Sequence, residues 1–554
     1  MLLLTLVYAA VALRFFFCQV IEGPQMAQSS GTLRDRRIFL PESARGDILD
    51  RNGQQLTNQG HGWACVVIPK LLMRTAANID RLAALAQIAP AEINEKIDNA
   101  NKQGNYLVLL KSWNVIDAGT RQGLSSITGV EVVPIARRYD DSGLLAHIIG
   151  TLDEQSDSGA VPRGSSGLEK RYDRYLGGQM PHEAISVVLD GKKEIISGLS
   201  PQIQENWYHP ERAGVETTID RRVQKAVEDV MDKKVKSGAV VVLDIKSRDI
   251  LAICSRPAYN PYDQNIMSAE ETSARYLNRA LTPFYPGSLF KIAVAAAALE
   301  YKTVTLDDIF LCDGAYSFPS QLRIPCWKAS GHGWVSISQA LAQSCNDAFI
   351  QIGLSVGRTR LLEAFRRMHL VDTDVIGYDN SQHGSHITID YGNPALANAS
   401  VGQNGVMMTP LQAANMLATI ADSGIYKRPR LVRGVRKGEK YLARYSSDSG
   451  ERVMSQQTSQ DILSALRLVT TEGTGALAFV PPWGSGGKTA TAQTGQIGAD
   501  GNEILNTWFV GFFPARQPRW AISIMVERGQ SGGRDAAPVF KEIAQKMGPI
   551  FLGK

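Results

Sequence analysis

The sequence predicts an α/β protein of two or three domains that follow an apolar N-terminal segment. The chain has 554 residues, which is more than one hydrophobic core usually organises. Near the C-terminus, three closely spaced strand patterns over 487–492, 507–513 and 520–527 predict an antiparallel meander. Helical patterns from both ends of the C-terminal part should pack on that sheet, which predicts an α/β sandwich.

The composition is that of a globular protein. Hydrophobic residues make up 44% of the chain and charged residues 20%. The formal net charge of +5 is small for this length, and the basic residues are scattered rather than clustered. A nucleic-acid partner is therefore not expected.

The N-terminal segment is predicted to be a membrane anchor. Residues 1–21 approach the run of about 20 apolar residues that a spanning helix needs, although Arg14 lies within them. A cleaved signal peptide would need a basic start and a small-residue cleavage site, and neither is visible; a buried core helix is the other alternative. The run before Arg14 is short and has no basic flank, so we also expect the natural start to lie upstream of Met1.

The remaining elements follow from turn residues and hydrophobic periodicity. The character of the sequence changes near residue 215, which predicts a domain boundary there. The expected elements are a strand and turn at 45–53, helical periodicity over 80–100, a turn-rich segment at 153–167, a helix within 217–236, a strand at 238–244 with a hairpin partner at 250–254, and helices at 287–300, 338–353, 411–423 and 536–547.

The first chemical motif is Pro286-Gly-Ser288-Leu-Phe-Lys291. The Pro-Gly pair predicts a tight turn, which places Ser288 at a helix start and Lys291 one turn later on the same face. A serine hydroxyl needs an adjacent base to act as a nucleophile, and a lysine with a lowered pKa can provide it. A capping serine with a surface lysine has the same pattern, so the motif alone is weak.

Two further motifs follow the first, and their order along the chain is more informative than either motif alone. Ser344-Cys-Asn346 follows about fifty residues later, with a hydroxyl that can relay a proton and an amide that can orient a carbonyl or an ammonium group. Gly486-Gly-Lys488-Thr-Ala-Thr-Ala492 lies on a predicted strand, where a lysine and hydroxyl groups can bind a carboxylate. This order and spacing are typical of the serine β-lactamases and penicillin-binding proteins.

The sequence resembles the class B penicillin-binding proteins over nearly its whole length. The segments that resemble this family are 45–53, 137–139 with 147–150, 164–178, 217–220, 238–257, 402–412 and 472–475, in addition to the three motifs. The resemblance implies a membrane anchor over 1–22, an elongated α+β pedestal of the dimerisation type over 23–215, and a serine transpeptidase α/β/α sandwich with an antiparallel sheet over 216–554.

The resemblance also implies a reaction, in which Ser288 attacks a D-Ala-D-Ala carbonyl of a peptidoglycan stem peptide and forms an acyl-enzyme. A second stem peptide then accepts the acyl group, and β-lactams acylate the same serine. Lys291 is the implied base and Ser344 the proton relay. The backbone N–H groups of Ser288 and Thr491 would form the oxyanion hole.

The substrate-binding residues implied by the resemblance are Asn346, which would hold the peptide, and Lys488, Thr489 and Thr491, which would face its terminal carboxylate. One departure is Ala490, where the family usually has glycine; its effect on β-lactam affinity is open. A non-catalytic scaffold for wall synthesis and a D,D-carboxypeptidase are the alternatives. The implied partners are a membrane glycosyltransferase and other wall-synthesis proteins. The implied location is the inner membrane, with a single span and the catalytic domain on the outer side.

The cysteines give no local metal-binding pattern. The chain has six, without a CxxC pair or a His/Cys cluster of zinc spacing, so we expect no metal and no cofactor. An extracytoplasmic location permits disulfides. Cys312 with Cys326, or Cys326 with Cys345, could pair and make the site redox-sensitive; alternatively, Cys345 is a buried thiol.

Overall fold

The computed structural model describes most of the chain beyond the N-terminal segment. The residues described are 37–40, 45–140, 142–153, 162–177, 183–187, 201–205, 212–262, 274–379, 386–498 and 501–552, with Tyr8, Arg14, Glu194 and Ile196. The predicted anchor over 1–22 therefore lies outside the described residues except at Tyr8 and Arg14. Within the part that is described, no helix has both the length and the apolar character needed to cross a bilayer.

Strands and helices alternate through the described residues. The strands are β1 (Arg37–Phe39), β2 (Ile48–Leu49), β3 (Gly60–Val67), β4 (Val108–Trp113), β5 (Val130–Arg137), β6 (Glu183–Ser186), β7 (Gln202–Glu205), β8 (Ala213–Thr217), β9 (Gly238–Asp244), β10 (Ile250–Arg256), β11 (Ile309–Cys312), β12 (Ala315–Ser317), β13 (Arg323–Pro325), β14 (Gly333–Ser336), β15 (Ile425–Tyr426), β16 (Val432–Lys437), β17 (Lys440–Arg444), β18 (Glu451–Arg452), β19 (Gly486–Ile497), β20 (Glu503–Phe513) and β21 (Trp520–Glu527). The α-helices are α1 (Ala76–Ala86), α2 (Pro90–Gln103), α3 (Ala118–Ser125), α4 (Ala146–Ile149), α5 (Gly167–Arg171), α6 (Asp173–Leu176), α7 (Arg221–Lys234), α8 (Lys291–Glu300), α9 (Ile337–Ala342), α10 (Asn346–Val356), α11 (Arg358–Arg367), α12 (Asn393–Ser400), α13 (Pro410–Ala421), α14 (Gln456–Thr471) and α15 (Ala537–Phe551).

A five-stranded antiparallel sheet organises the C-terminal part, with strand order β10-β9-β21-β20-β19. The predicted meander is confirmed, because β19 pairs with β20 and β20 with β21. The predicted hairpin of β9 and β10 is also confirmed. Since β19 is the last strand of this sheet, one edge of its backbone has no strand partner among the residues that the structure describes. That edge is available to the functional groups described below.

Both faces of this sheet are buried, which explains the near-continuous apolar strands in the sequence. Alternate residues of a strand point to opposite faces. Val240 and Val242 pack with α7 and α15 on one face. Ala239 and Val241 pack in the cluster that contains α8 and α13 on the other face. The predicted α/β sandwich is therefore present.

Smaller sheets form the N-terminal part. The β4-β3-β5 sheet packs against α1, α2 and α3 on one face and against β6 on the other. A four-stranded sheet, ordered β17-β16-β8-β2, joins the N-terminal strand β2 to β16 of the C-terminal part. The predicted boundary between residues 215 and 216 falls inside β8. The domain limits remain predictions.

Two predicted helices are interrupted in the structure. The periodic segment 80–100 forms α1 and α2, because Ala89 precedes Pro90 and has an extended backbone that cannot continue a helix. The helix predicted over 338–353 is wrong as a single element: Ser344 has a left-handed backbone with φ of 57°, so α9 and α10 are separate. The helix predicted from residue 287 starts as a 3₁₀ turn over Gly287–Leu289, followed by α8.

A buried ion cluster holds the N-terminal part together. Glu169 is wholly buried between the side chains of Arg45 and Arg138, which are also wholly buried. Its carboxylate accepts hydrogen bonds from Arg45 Nη2 at 2.9 Å and from Arg138 Nε, and the Tyr139 hydroxyl donates to it at 3.3 Å. The Glu169 carboxylate holds the pKa of Arg138 above its ordinary value, against the opposing effect of burial. Arg45 also donates to Asp173 at 2.8 Å, so Glu169 is the carboxylate that the two buried guanidinium groups share.

Removal of the Glu169 charge should strongly destabilise the protein. Glu169→Gln preserves the side-chain volume but removes the buried carboxylate that both arginines share, and breaking such a pair costs about 3–5 kcal/mol. The measurement is the free energy of unfolding in guanidinium chloride. Asp98→Asn, which removes an exposed partner of Arg74, is the control and should leave the midpoint unchanged. A Glu169→Gln variant as stable as the wild type would contradict this prediction.

Candidate functional site

The first motif forms a tight turn against the edge strand of the sheet. Ser288 is half-buried in the 3₁₀ turn that leads directly into α8 at Lys291. Gly287 has a positive φ of 53°, and a Cβ at this residue would lie only 3.1 Å from the Thr491 carbonyl oxygen. Glycine here permits both the left-handed backbone and the close approach to β19. The serine is consequently held beside the third motif.

A second segment holds this turn from another side. The Gly287 N–H donates to the Gly402 carbonyl oxygen at 3.0 Å. A Cβ at Gly402 would lie 1.9 Å from the Gly287 carbonyl oxygen, so a side chain would not fit there. Nearby, Phe284 and Met408 exchange two backbone hydrogen bonds of 3.0 Å. The segment 402–412 thus fixes the backbone that carries Ser288.

Lys291 connects the first motif to the second. Its side chain is wholly buried, and its Nζ donates to the Ser344 carbonyl oxygen at 2.8 Å and to Asn346 Oδ1 at 2.7 Å. The Ser344 hydroxyl oxygen lies 3.4 Å from the same nitrogen. Burial lowers the pKa of Lys291 to about 8, although the nearby sulfurs of Cys345 and Cys326 oppose this shift. This lysine can therefore exchange a proton near neutral pH.

The interruption between α9 and α10 places the second motif. Ser344 adopts the left-handed conformation, and Cys345 then caps α10, with its sulfur accepting the Ala348 N–H at 3.4 Å. Asn346 is the first residue of α10, and its side-chain Nδ2 donates to the Pro325 carbonyl oxygen at 3.1 Å. An unbroken helix would not present both Ser344 and Asn346 to one lysine in this way.

The third motif lies on the edge strand β19. Lys488 is wholly buried, and its Nζ donates to the Thr489 carbonyl oxygen at 2.8 Å. Burial is the main reason why the pKa of Lys488 lies well below its ordinary value, and repulsion from Lys291 is the second reason. Thr491 is exposed on the same strand. The two buried lysines are thus close enough for their charges to interact.

Two residues that sequence reasoning did not assign hold the threonines of this strand. The Thr489 hydroxyl lies 2.6 Å from the Thr474 hydroxyl. The Thr491 hydroxyl accepts the Gly532 N–H at 3.3 Å. Thr474 lies in the segment 472–475, which the resemblance marked without a role. No sequence signal indicated Gly532.

The methyl group of Ala490 is buried. The residue is only 3% exposed and pairs with Trp508 across the sheet. Ala490 and Trp508 belong to the apolar cluster that joins the sheet to the helices around α8 and α13. The extra methyl group therefore lies in this apolar layer rather than in open space.

Four residues that form no metal-binding pattern in the sequence meet in the structure. Cys312, Cys326, His332 and Cys345 lie together, with one ligand atom from each within 4.8 Å of all the others. Their spacing along the chain does not reveal the cluster, because the four residues belong to separate parts of the fold rather than to a local pattern. All five described cysteines are free thiols, so neither of the two considered disulfides is present among them.

Comparison with known proteins agrees with this arrangement. Residues 238–545 match the family described as "Penicillin binding protein transpeptidase domain", and residues 41–202 match the "Penicillin-binding Protein dimerisation domain". Stage V sporulation protein D of Bacillus subtilis is 26% identical, over 98% of this chain and 84% of its own length.

Two further relatives carry enzymatic names. Peptidoglycan D,D-transpeptidase FtsI of Escherichia coli is 28% identical, over 96% of this chain and 87% of its own length. Peptidoglycan D,D-transpeptidase PbpA of Mycolicibacterium smegmatis is 32% identical, over 68% of this chain and 78% of its own length. Because the transpeptidase match alone covers more than half of the sequence and a dimerisation domain precedes it, the chain belongs to the class B penicillin-binding proteins and is a serine-type transpeptidase.

Proposed function

We propose that this transpeptidase cross-links peptidoglycan stem peptides through an acyl-enzyme on Ser288. The observation that carries the proposal is the buried Lys291, which lies one turn from Ser288 and is bonded to both Ser344 and Asn346. A base that is buried and deprotonates near neutral pH is what a serine nucleophile needs. The edge strand β19 supplies the second wall of the site.

In the first half-reaction, neutral Lys291 takes the proton of the Ser288 hydroxyl as its oxygen attacks the penultimate D-Ala carbonyl carbon. The backbone N–H groups of Ser288 and Thr491 stabilise the negative oxygen of the tetrahedral intermediate. The peptide C–N bond then breaks, and the Ser344 hydroxyl passes a proton to the leaving D-Ala amine. A β-lactam follows the same path, but its opened ring stays attached.

In the second half-reaction, the amine of another stem peptide attacks the acyl-serine carbon and loses its proton. The ester bond between that carbon and the Ser288 oxygen breaks, and the serine oxygen regains a proton. The Asn346 amide holds the peptide backbone of the donor. Lys488, Thr489 and Thr491 bind the terminal carboxylate, and the bonds from Thr474 and Gly532 keep the threonines of this strand in place. Positioning of this kind supplies much of the rate in acyl transfer.

This assignment is favoured over the two alternatives. A non-catalytic scaffold would not need two buried lysines, since each costs free energy to bury. A D,D-carboxypeptidase shares the three motifs, but the dimerisation domain over 41–202 belongs to the penicillin-binding protein family. Product analysis distinguishes them, because a transpeptidase forms cross-linked dimers whereas a carboxypeptidase only releases D-Ala.

The same proposal extends to location and partners. Residues 1–22 act as an anchor, residues 23–215 as the pedestal, and residues 216–554 as the catalytic domain on the outer side of the inner membrane, where the substrate lies. The matched domains supply peptide cross-linking, so the glycan strands come from a separate membrane glycosyltransferase. Fractionation and protease accessibility in intact cells test the location.

Ser288 should be the acylated residue. Fluorescent penicillin should label the wild type, and mass spectrometry should place the adduct on the peptide that contains Ser288. Ser288→Ala should lose labelling entirely. Ser320→Ala, in an exposed turn, is the control and should label normally. An adduct on another peptide would contradict the assignment of Ser288 as the acylated residue.

Acylation should rise with pH through about 8. Lys291 acts as a base only in its neutral form, and burial lowers its pKa to about 8, so the active fraction increases as pH rises through that value. The measurement is the second-order acylation rate of an uncharged chromogenic β-lactam between about pH 6 and 10. Lys291→Arg should be slow at every pH. A wild-type profile that is flat across this range would contradict the role of Lys291.

Ala490→Gly should change stability more than reactivity. The methyl group is buried in the apolar layer, so its loss should cost about 1 kcal/mol of unfolding free energy and alter penicillin acylation less than about threefold. Thermal denaturation and the acylation rate are measured on the same preparation. A tenfold gain in acylation would mean that the methyl group narrows the substrate site.

A further inference from the structure

Four side chains converge beside the catalytic loop although they come from different elements. Cys312 ends β11, Cys326 follows β13, His332 precedes β14, and Cys345 caps the N-terminus of α10. The three cysteines are buried and the histidine is half-buried. The catalytic reaction proposed above uses none of these side chains.

The separations between these side chains suit a tetrahedral metal. The Cys312 and Cys326 sulfurs each lie 3.5 Å from His332 Nδ1. Zinc bonds of about 2.3 Å to sulfur and about 2.0 Å to nitrogen place tetrahedral ligand atoms about 3.6 Å (S to N) and about 3.8 Å (S to S) apart. All four atoms lie within 4.8 Å of one another, so a small contraction completes the site.

Backbone N–H groups point at two of the three sulfurs. Cys326 Sγ accepts the Asn346 N–H at 3.4 Å, and Cys345 Sγ accepts the Ala348 N–H at 3.4 Å. Both donors belong to the first turn of α10, an 11-residue helix whose N-terminus favours negative charge. Such backbone hydrogen bonds commonly orient and stabilise the ligands of structural metal sites.

The surrounding segment reaches the core through some of its side chains, such as Phe318 and Val335, but has little regular structure of its own. Between α8 and α9, the strands form only two two-stranded sheets, β11 with β14 and β12 with β13. Such hairpins are marginal by themselves. Several large apolar side chains of this segment are exposed, including Leu311, Trp327 and Trp334. A metal is one of the cross-links that small elements use in place of a core.

We propose that Cys312, Cys326, His332 and Cys345 bind one structural zinc ion that holds the catalytic loop in position. Three thiolates and one imidazole form a closed Cys₃His set, which is characteristic of structural rather than catalytic zinc. On binding, the three thiols lose their protons, and the metal bonds to His332 Nδ1 while the ring proton stays on Nε2. No oxidation or reduction occurs.

The zinc site would act on the active site through short connections. Cys345 lies between Ser344 and Asn346. The residues around Cys326 contact the same loop at three points: Pro325 O accepts from Asn346 Nδ2 at 3.1 Å, Cys326 Sγ from the Asn346 N–H at 3.4 Å, and Gln343 O from Trp327 Nε1 at 2.9 Å. This effect rests on the proposed roles of Ser344 and Asn346, whereas metal binding itself does not.

The first experiment measures metal content. The full-length protein, purified in detergent, should contain about one zinc per chain by inductively coupled plasma mass spectrometry. Stripping with a chelator and adding Co²⁺ should give the intense visible absorption of tetrahedral cobalt with thiolate ligands. Cys312→Ser should lose most of the metal and change this spectrum. Cys65→Ser is the matched control, because Cys65 is also a buried cysteine but lies in β3. This variant should keep the bound metal and the wild-type cobalt spectrum.

The second experiment measures the consequence for the site. The stripped wild-type protein should melt at a lower temperature and react with fluorescent penicillin at least tenfold more slowly, and added Zn²⁺ should restore both. This comparison needs no variant, so a misfolded Cys312→Ser protein would not prevent the test.

Three results would overturn the proposal. The first is a metal content of less than about 0.1 zinc per chain together with no cobalt spectrum. The second is a disulfide between two of the three cysteines in the native protein. The third is a loss of metal in Cys65→Ser equal to that in Cys312→Ser. Normal acylation by stripped protein that still binds one Zn²⁺ would overturn only the positioning role. Failure of Ser288 labelling in zinc-loaded protein would instead count against the proposed function.

Discussion

The burial of Lys291 is the constraint on which the rest of the site depends. A lysine removed from water loses the hydration of its ammonium group. The charged form is therefore destabilised relative to the neutral form, and the pKa falls. The side chain still needs hydrogen-bond acceptors, and those that the structure provides are the Ser344 carbonyl and the Asn346 amide oxygens. Both belong to the break between α9 and α10. The position of that loop therefore sets the direction of the lysine side chain.

The remaining architecture brings the nucleophile to this lysine. The 3₁₀ turn that carries Ser288 is held between the edge of β19 and the segment around Gly402. These contacts are tight at Gly287 and leave no room for a side chain at Gly402. The sheet supplies rigidity because both of its faces are buried. The edge position of β19 leaves backbone groups available, whereas a central strand would have used them in pairing.

Much of this arrangement could be predicted from the sequence, because it depends on local patterns. The meander, the hairpin of β9 and β10, and α7, α13 and α15 follow from hydrophobic periodicity and turn residues. The motif residues Ser288, Lys291 and Lys488 were recognisable from their order in the chain. The break at Ser344 was missed, since the segment 338–353 has helical periodicity on both sides of it and only the tertiary contacts of the loop select a positive φ.

Features that depend on long-range contacts could not be predicted in this way. The cysteine–histidine cluster escaped detection because spacing rules consider neighbouring ligand pairs, whereas these ligands come from four elements between residues 312 and 345. The contact of Thr489 with Thr474 joins β19 to the segment after α14, and the contact of Thr491 with Gly532 joins β19 to the segment before α15. Nothing in the local sequence specifies such pairs.

The two buried lysines also connect substrate binding to catalysis. Repulsion from Lys291 is one reason why the pKa of Lys488 is low, so the two sites compete for a positive charge. In the proposed reaction, a substrate carboxylate beside Lys488 favours its charged form. A charged Lys488 in turn disfavours protonation of Lys291, since like charges in a buried region repel strongly. Binding of the substrate's terminal carboxylate thus shifts Lys291 towards its neutral form. The neutral form is the one that activates Ser288.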